Sequence, residues 1–369
     1  MKKTNLLFIK PGAKVQNQLW AIHHFAAQVS LRDDFTVNLA TSNFSFDKKI
    51  KINTLTIYPP LAKSPYFLFG YLKRFFALAK LIKTLRPAVV YVNNHIGAAE
   101  VVFLANVLGK DTKCILDIRT LPDKKWKYFY YKVITPFFDH IFALNNDIIE
   151  KMVNNSSTSL LPLGYDPDFF FKDVGKCQFS TKAVLRCLYY GSLDKKRKLL
   201  RLISGVNKAV KKGCKIRLTI LGSGNSKNEL LQYVSEKEME SIVTVHDFLP
   251  QHQLRKVIWD HDLGVAFVPD EGMYRPQVPL KAVEMLACGL PVIATDTNGN
   301  REIIQDSENG YIIKDDAKSV CCKMQELWEN GVSEKIYQNA AKSIEHLTWH
   351  KIVKTWLSPK LRELLRNDL

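Results

Sequence analysis

The 369-residue chain has few cysteines, few acids and no long apolar run. Its seven cysteines are scattered with no Cys-x-x-Cys spacing, which excludes a disulfide framework or a zinc ribbon and fits a reducing cytoplasm. No apolar stretch reaches the roughly 18 residues that a membrane-spanning helix needs. Glycine is sparse where a dinucleotide fingerprint would need it. The loop after the first apolar run, Asn5 to Lys10, carries one glycine, Gly12, in place of three. Without three phosphate-loop glycines and a matching acidic ribose ligand, a dehydrogenase is not expected.

Positive charge is what the chain has in excess. Lysine and arginine number 53 against 36 acids, a formal net charge of +17, which fits nucleic acid, an anionic membrane surface or a phosphate-rich substrate. No helix-turn-helix, zinc-finger or RRM signature accompanies the charge, so nucleic acid is not an expected partner. The length allows two domains. The N-terminal lysines and short apolar run read as a first β-strand rather than a signal peptide.

The chain alternates β and α throughout. Asn5 to Lys10, a helix over about 16–30 and Phe35 to Ala40 make a βαβ opening. Residues 64–86 predict a long amphipathic helix. Leu68, Tyr71, Leu72, Phe75, Leu78, Ala79 and Ile82 share its apolar face, and Lys73, Arg74, Lys80 and Lys83 share the other. Tyr66, Phe67 and Phe69 extend past its start. Such a helix suits a membrane interface, and equally a domain helix with a solvated basic face. The segment 126–138 is again aromatic and basic and would extend a membrane-facing patch.

Polar groups collect at predicted strand ends. His95 follows the strand 88–93, and Asp117 and Arg119 end the strand 113–118. They read either as catalytic or acceptor groups, or as a structural ion pair and a hydrogen-bonded histidine. Asp166-Pro167-Asp168 has D-x-D form, but Pro167 makes it turn chemistry, and no metal site is expected. A polar stretch over 173–182 reads as a linker. Beyond it the strand 183–190 runs into Gly191-Ser192 and the basic run Lys195 to Lys198. The strand 215–221 runs into Gly222-Ser223-Gly224, where glycines let backbone N–H groups approach a phosphate. Leu280 to Ile304 then predicts a helix ended by Gly289, a buried strand over 292–294 and a polar turn at 298–300. One carboxylate, Glu284, sits inside that otherwise apolar helix, where burial is costly without a partner.

These motifs, in this order, resemble those of GT-B glycosyltransferases, especially glycosyltransferase family 4. Glu284 matches the second Glu of the family's E-x7-E pair, which hydrogen-bonds the ribose of a nucleotide-sugar. The first Glu would fall on Pro276, and Pro279-Leu280-Lys281 looks like the P-x-K variant, which makes Lys281 a donor-site residue. Gly191-Ser192 and Arg197 match the segment whose Arg and Lys hold the donor diphosphate, with Ser192 at the Arg place and Arg197 at the Lys place. Lys195, Lys196 and Lys198 read as a largely solvated run. Gly222 and Gly224 match the family's LGxGP segment, and residues 247–250 its base-binding loop. Gly12 falls in the family's first loop, or is a simple turn glycine.

The resemblance implies an α/β, GT-B architecture. Two Rossmann-like domains face a cleft, and a C-terminal helix crosses back to the first domain through the stripe Trp349, Val353 and Trp356. An acceptor domain is expected over 1–168 with about 347–369, and a nucleotide-sugar domain over 169–346. The implied reaction moves a sugar from a UDP- or GDP-sugar to a hydroxyl of a lipid-linked, surface-polysaccharide acceptor (lipopolysaccharide or capsule). It is retaining, uses no bound metal or cofactor, and is run by a cytoplasmic monomer or dimer peripheral to the inner membrane face. A nucleotide-sugar 2-epimerase on the same fold and a degenerate scaffold protein are the alternatives. Sugar choice is expected to rest on residues 272–279.

Overall fold

The structure is a computed structural model that describes residues 3–10, 21–41, 52–56, 67–93, 97–109, 111–171 and 181–366. The chain divides into two compact units, Met1–Leu163 with Trp349–Leu369, and Gly164–Thr348.

The first unit runs β1 (Thr4–Ile9), α1 (Ala21–Ser30), β2 (Phe35–Thr41), β3 (Asn53–Thr56), α2 (Phe67–Leu85), β4 (Val89–Asn93), α3 (Ala98–Leu108), β5 (Lys113–Ile118), α4 (Lys125–Ile134), β6 (His140–Ala143), α5 (Asn146–Met152) and β7 (Thr158–Leu160). The second unit runs β8 (Leu185–Tyr190), α6 (Leu199–Lys211), β9 (Ile216–Leu221), α7 (Lys227–Glu236), β10 (Val243–His246), α8 (Gln251–Trp259), β11 (Leu263–Ala266), α9 (Leu280–Ala287), β12 (Val292–Thr295), α10 (Asn298–Arg301), β13 (Gly310–Ile313), α11 (Ala317–Asn330) and α12 (Glu334–Lys342). The chain then returns to the first unit as α13 (Trp349–Ile352) and α14 (Ser358–Arg366).

Both sheets are parallel. Their orders are β3-β2-β1-β4-β5-β6-β7 and β10-β9-β8-β11-β12-β13. Helices cover both faces of such a sheet, so its strands read as continuous apolar runs rather than alternating ones. Every residue of β4, β11 and β12 is buried. Strand order reverses between β1 and β4 and between β8 and β11, the places where an open α/β sheet binds ligands.

Right-handed crossovers put α2, α3 and α4 on one face of the first sheet and α1 on the other. On the α1 face, Ile22 and Phe25 pack with Trp349, Ile352, Leu357 and Leu361. The Trp349 ring stacks on His24 at 4.7 Å and meets Phe25 edge-on at 5.5 Å. Of the expected stripe, Trp349 and Val353 are buried in this core and Trp356 lies at its margin.

Two details of α2 differ from the periodicity reading. Arg74, placed on the solvated basic face, is buried and forms a salt bridge with buried Glu100 of α3. Leu72, placed on the apolar face, is exposed. A carboxylate inside a helix interface needs a counter-charge, and that demand sets the rotation of α2 against α3. Lys73, Lys80 and Lys83 are exposed as expected. The polar turn at 298–300 is a short helix, α10, capped by the Thr297 hydroxyl. Gly12, Tyr66 and His95 lie outside the described residues.

Candidate functional site

The second unit's candidate residues sit on the loops after β8 and β9 and on α9, which follows β11. The element that sets them in place is α9. Pro279 leads into it with non-helical backbone. At its end Gly289 has φ +74, Leu290 N–H donates to the Met285 carbonyl at 3.0 Å, and Gly289 N–H donates to Leu286 at 2.8 Å. That is a Schellman termination, and the left-handed residue it requires is the glycine. Pro291 then turns the chain into β12.

Glu284 projects from α9 towards the end of β8. The Tyr190 hydroxyl donates to Glu284 Oε2 at 2.8 Å and also lies 3.2 Å from the Lys281 carbonyl. Burial pushes the Glu284 carboxyl up to about 7, and the Tyr190 hydrogen bond offsets part of that rise. Among the described residues, the carboxyl has one neutral side-chain donor and no paired cation.

Lys281 is one helical turn before Glu284, yet its ammonium does not reach the carboxylate. It lies over the Tyr189 ring, 3.7 Å from the centroid, a cation–π contact. Burial, and then the charge of Arg197, hold its amine well below the ordinary range. Arg197 ends the short turn Lys195–Arg197, and its guanidinium lies 4.5 Å over the Tyr274 ring. Its Nε is buried without a hydrogen-bond partner among the described residues. Among the described residues, no carboxylate pairs with either cation. A buried amine whose protonation is opposed by a neighbouring guanidinium would regain that proton beside an anion, so the setting favours one.

The neighbouring loops are pressed backbone to backbone. A Cβ on Gly222 would lie 1.9 Å from the Gly191 carbonyl oxygen, and one on Gly224 would lie 2.4 Å from the Leu193 carbonyl carbon. Leu193 N–H donates to Ser223 O at 2.9 Å. These glycines therefore permit a close loop contact. Gly191 has φ +142, and a Cβ there would stand 3.8 Å from the Lys281 ammonium. Ser192 bonds the Asp194 carboxylate through its hydroxyl and accepts the Tyr189 hydroxyl at its carbonyl, 3.0 Å away. No cation stands at that place in the chain, and Lys281 reaches the same loop from α9 instead.

In the first unit, Asp117 is fully buried. Arg119 Nε lies 2.6 Å from its Oδ1. Arg119 Nη1 donates to the carbonyls of Leu161 at 2.7 Å and Pro162 at 3.0 Å. This is an ion pair that ties β5 to the segment after β7. Beside it, at the ends of β1 and β4, Lys10 donates to the Asn93 side chain. Burial lowers its amine to about 8, against the pull of Asp117.

Tyr189, Tyr190, Tyr274 and Lys10 were not legible as site residues. Two tyrosines at the carboxyl end of an apolar strand were the only signal for the first pair. Tyr274 lies in the loop 272–279, where the chain departs from the family's pattern.

Residues 185–330 match the family model of the glycosyl transferases, group 1. That span covers β8 through α11, including every site residue of the second unit. The chain is 21% identical over 184 residues to a protein of Escherichia coli named as a colanic acid biosynthesis glycosyltransferase, covering 49% of this chain and 45% of that one. It is 22% identical over 305 residues to the chitobiosyldiphosphodolichol beta-mannosyltransferase of Yarrowia lipolytica, covering 72% and 65%. The chain thus spans less than two thirds of the length of these relatives.

Among solved structures, a glycosyltransferase from Rickettsia africae superposes with TM-score 0.77 at 14% identity, covering all of both chains. The Anabaena protein HepE, in complex with UDP and glucose, superposes with TM-score 0.70 at 15% identity, covering 98% of this chain and all of that one. Two Rossmann-like units of GT-B type are therefore the fold, and residues 185–330 are similar to the glycosyl transferases, group 1.

Proposed function

We propose that the chain moves a sugar from a nucleotide-sugar, of UDP or GDP type, to a hydroxyl of a growing glycan. The observation that carries this reading is the unpaired Arg197–Lys281 couple at the reversal of strand order, beside Glu284. In it the donor diphosphate lies against the two cations. Their charge gains most as the sugar–phosphate bond breaks and negative charge collects on the leaving diphosphate. Interactions stronger in the transition state than in the ground state are those that accelerate the step. Removing one such preorganised partner costs about 10²–10³ in rate. Glu284 accepts from the ribose hydroxyls, which replace the single donor it now has.

The proposal extends to the acceptor. A lipid-linked glycan in surface-polysaccharide assembly fits the named activities of the relatives in colanic acid and dolichol-linked glycan synthesis. We read the transfer as retaining, and as independent of a bound metal because Arg197 and Lys281 face the diphosphate. The first unit, with Lys10 and Asn93 at its strand ends, is read as the acceptor side, and Asp117–Arg119 as the ion pair that positions those ends. The protein works at the cytoplasmic face of a membrane.

Thermal melts with UDP, GDP, ADP and CMP test the donor site. A ligand that binds only the folded state raises Tm by mass action. A rise with one nucleoside diphosphate, lost in Arg197→Ala, supports the reading. No rise with any of them sinks it.

A further inference from the structure

The outer face of α2, α3 and α4 carries no donor-site candidate, yet it and the turn after α4 hold most of the exposed large hydrophobic side chains among the described residues. Sixteen large hydrophobic side chains are exposed among the described residues, and nine of them are on these helices and the turn after α4. Phe76 of α2 is 66% exposed, Phe103 and Val107 of α3 are 57% and 63%, Phe129 of α4 is 73%, and Phe137 is 62%. Isolated exposed apolar residues are ordinary, but this many on one face mark an interaction surface.

The three helices form one layer. They share a face of the sheet by the handedness of their crossovers. The Tyr130 hydroxyl of α4 accepts the N–H of Ala99 at the start of α3, 3.1 Å away, and Arg74 of α2 is paired with Glu100 of α3. That pairing also removes the only acid of the three helices from the surface. α2 and α4 contain no Asp or Glu, and Glu100 is buried. Exposed Lys80, Lys83, Lys125 and Lys132 stand on the same helices. Along α4 the sequence KWKYFYYK alternates cations with amphipathic rings.

We infer that this layer docks on a bilayer bearing anionic lipids. Aromatic rings sit at the headgroup level with their apolar edges towards the acyl chains, and lysines meet anionic headgroups. The three helices themselves expose cations and no acid, although Asp123, just before α4, pairs with Lys127; this excess points the surface to a polyanionic partner, and the protruding rings to one with an apolar interior. A lipid surface offers both. The inference deepens the lipid-linked reading above, but it stands on the exposed layer alone.

Co-sedimentation with vesicles tests it. Phosphatidylcholine vesicles are compared with vesicles containing about 30% phosphatidylglycerol, at low and high salt. Binding to the anionic vesicles that salt weakens is expected. Phe76→Ser with Phe129→Ser should weaken it about tenfold or more, and Lys125→Glu with Lys132→Glu should remove its salt-sensitive part. Quenching of tryptophan fluorescence by brominated lipid should fall in Trp126→Phe. The nucleotide-induced rise in Tm is measured on each variant. If it is retained, the variant is folded, and a failure of lipid binding is separated from a failure of the donor-site reading. The inference is overturned by no binding to anionic vesicles, by binding that the substitutions leave unchanged, or by self-association that the same substitutions abolish.

Discussion

The Tyr190 hydroxyl sits 2.8 Å from Glu284 Oε2 and, among the described residues, is the one side-chain donor to this sheltered carboxyl. A neutral donor cannot hold a carboxylate ionised as a cation would, so the Glu284 carboxyl stays raised.

The raised value makes stability depend on pH in a definite direction. Between the ordinary 4.5 and about 7 the folded state holds a proton that the unfolded state has released. Stability therefore falls as pH rises through that window and levels off above it, by on the order of 3 kcal/mol. Urea melts of the wild type and Glu284→Gln at pH 5 and pH 8 check this. The variant should lose the slope and be the more stable protein at pH 8, while binding its nucleotide about tenfold more weakly.

Tyr190→Phe should act through Glu284. Without its donor the carboxyl rises further, so the acid limb of the pH–rate profile moves to higher pH. An unshifted profile would reduce Tyr190 to a packing residue.

Arg197 and Lys281 should show opposite effects on stability and binding. Each repels the other and lacks an acid partner, so Lys281→Met should leave the ligand-free protein at least as stable at pH 7, because a buried amine held below its ordinary range opposes folding. Nucleoside diphosphate affinity should fall about 10–100-fold, the range for charge-assisted hydrogen bonds. A variant that loses stability and keeps affinity would show that the couple is structural.

Arg74→Ala should cost about 3–5 kcal/mol, since it leaves Glu100 as an uncompensated buried charge. Replacing both, as Arg74→Met with Glu100→Leu, should recover most of it. Chemical denaturation of the three variants decides whether the pair is needed for its charge or only for its volume.

Asp117→Asn should destabilise the first unit by a similar amount, because the buried Arg119 charge then loses its carboxylate. Donor hydrolysis without acceptor, measured below the melting temperature, should change less than twofold if the pair only positions its strands. A hundredfold loss would assign Asp117 to the chemistry.

Much of the architecture was legible because parallel sheets demand continuous apolar strands, and these stand out between polar turns. Gly289 and Pro291 marked the end of α9 for a local reason, the left-handed residue of the helix termination. Glu284 was visible as the acid an apolar helix should not contain.

The one-dimensional pattern determined by itself the βα alternation, the excess of positive charge, and the places of Glu284 and Arg197. Only the tertiary structure decided what each of them meets. Arg74 looked solvent-facing until Glu100, 26 residues away, was brought opposite it. The exposed layer of α2, α3 and α4 needed three separated segments to share one face of a sheet. Ser192 looked like the loss of a cation until Lys281 arrived from α9, 89 residues on, over the Tyr189 ring. Spacing along a chain records which neighbours a helix or strand gives itself. It does not record which charge a second element delivers, because that depends on how the elements pack, and packing is where buried charge is neutralised or left waiting.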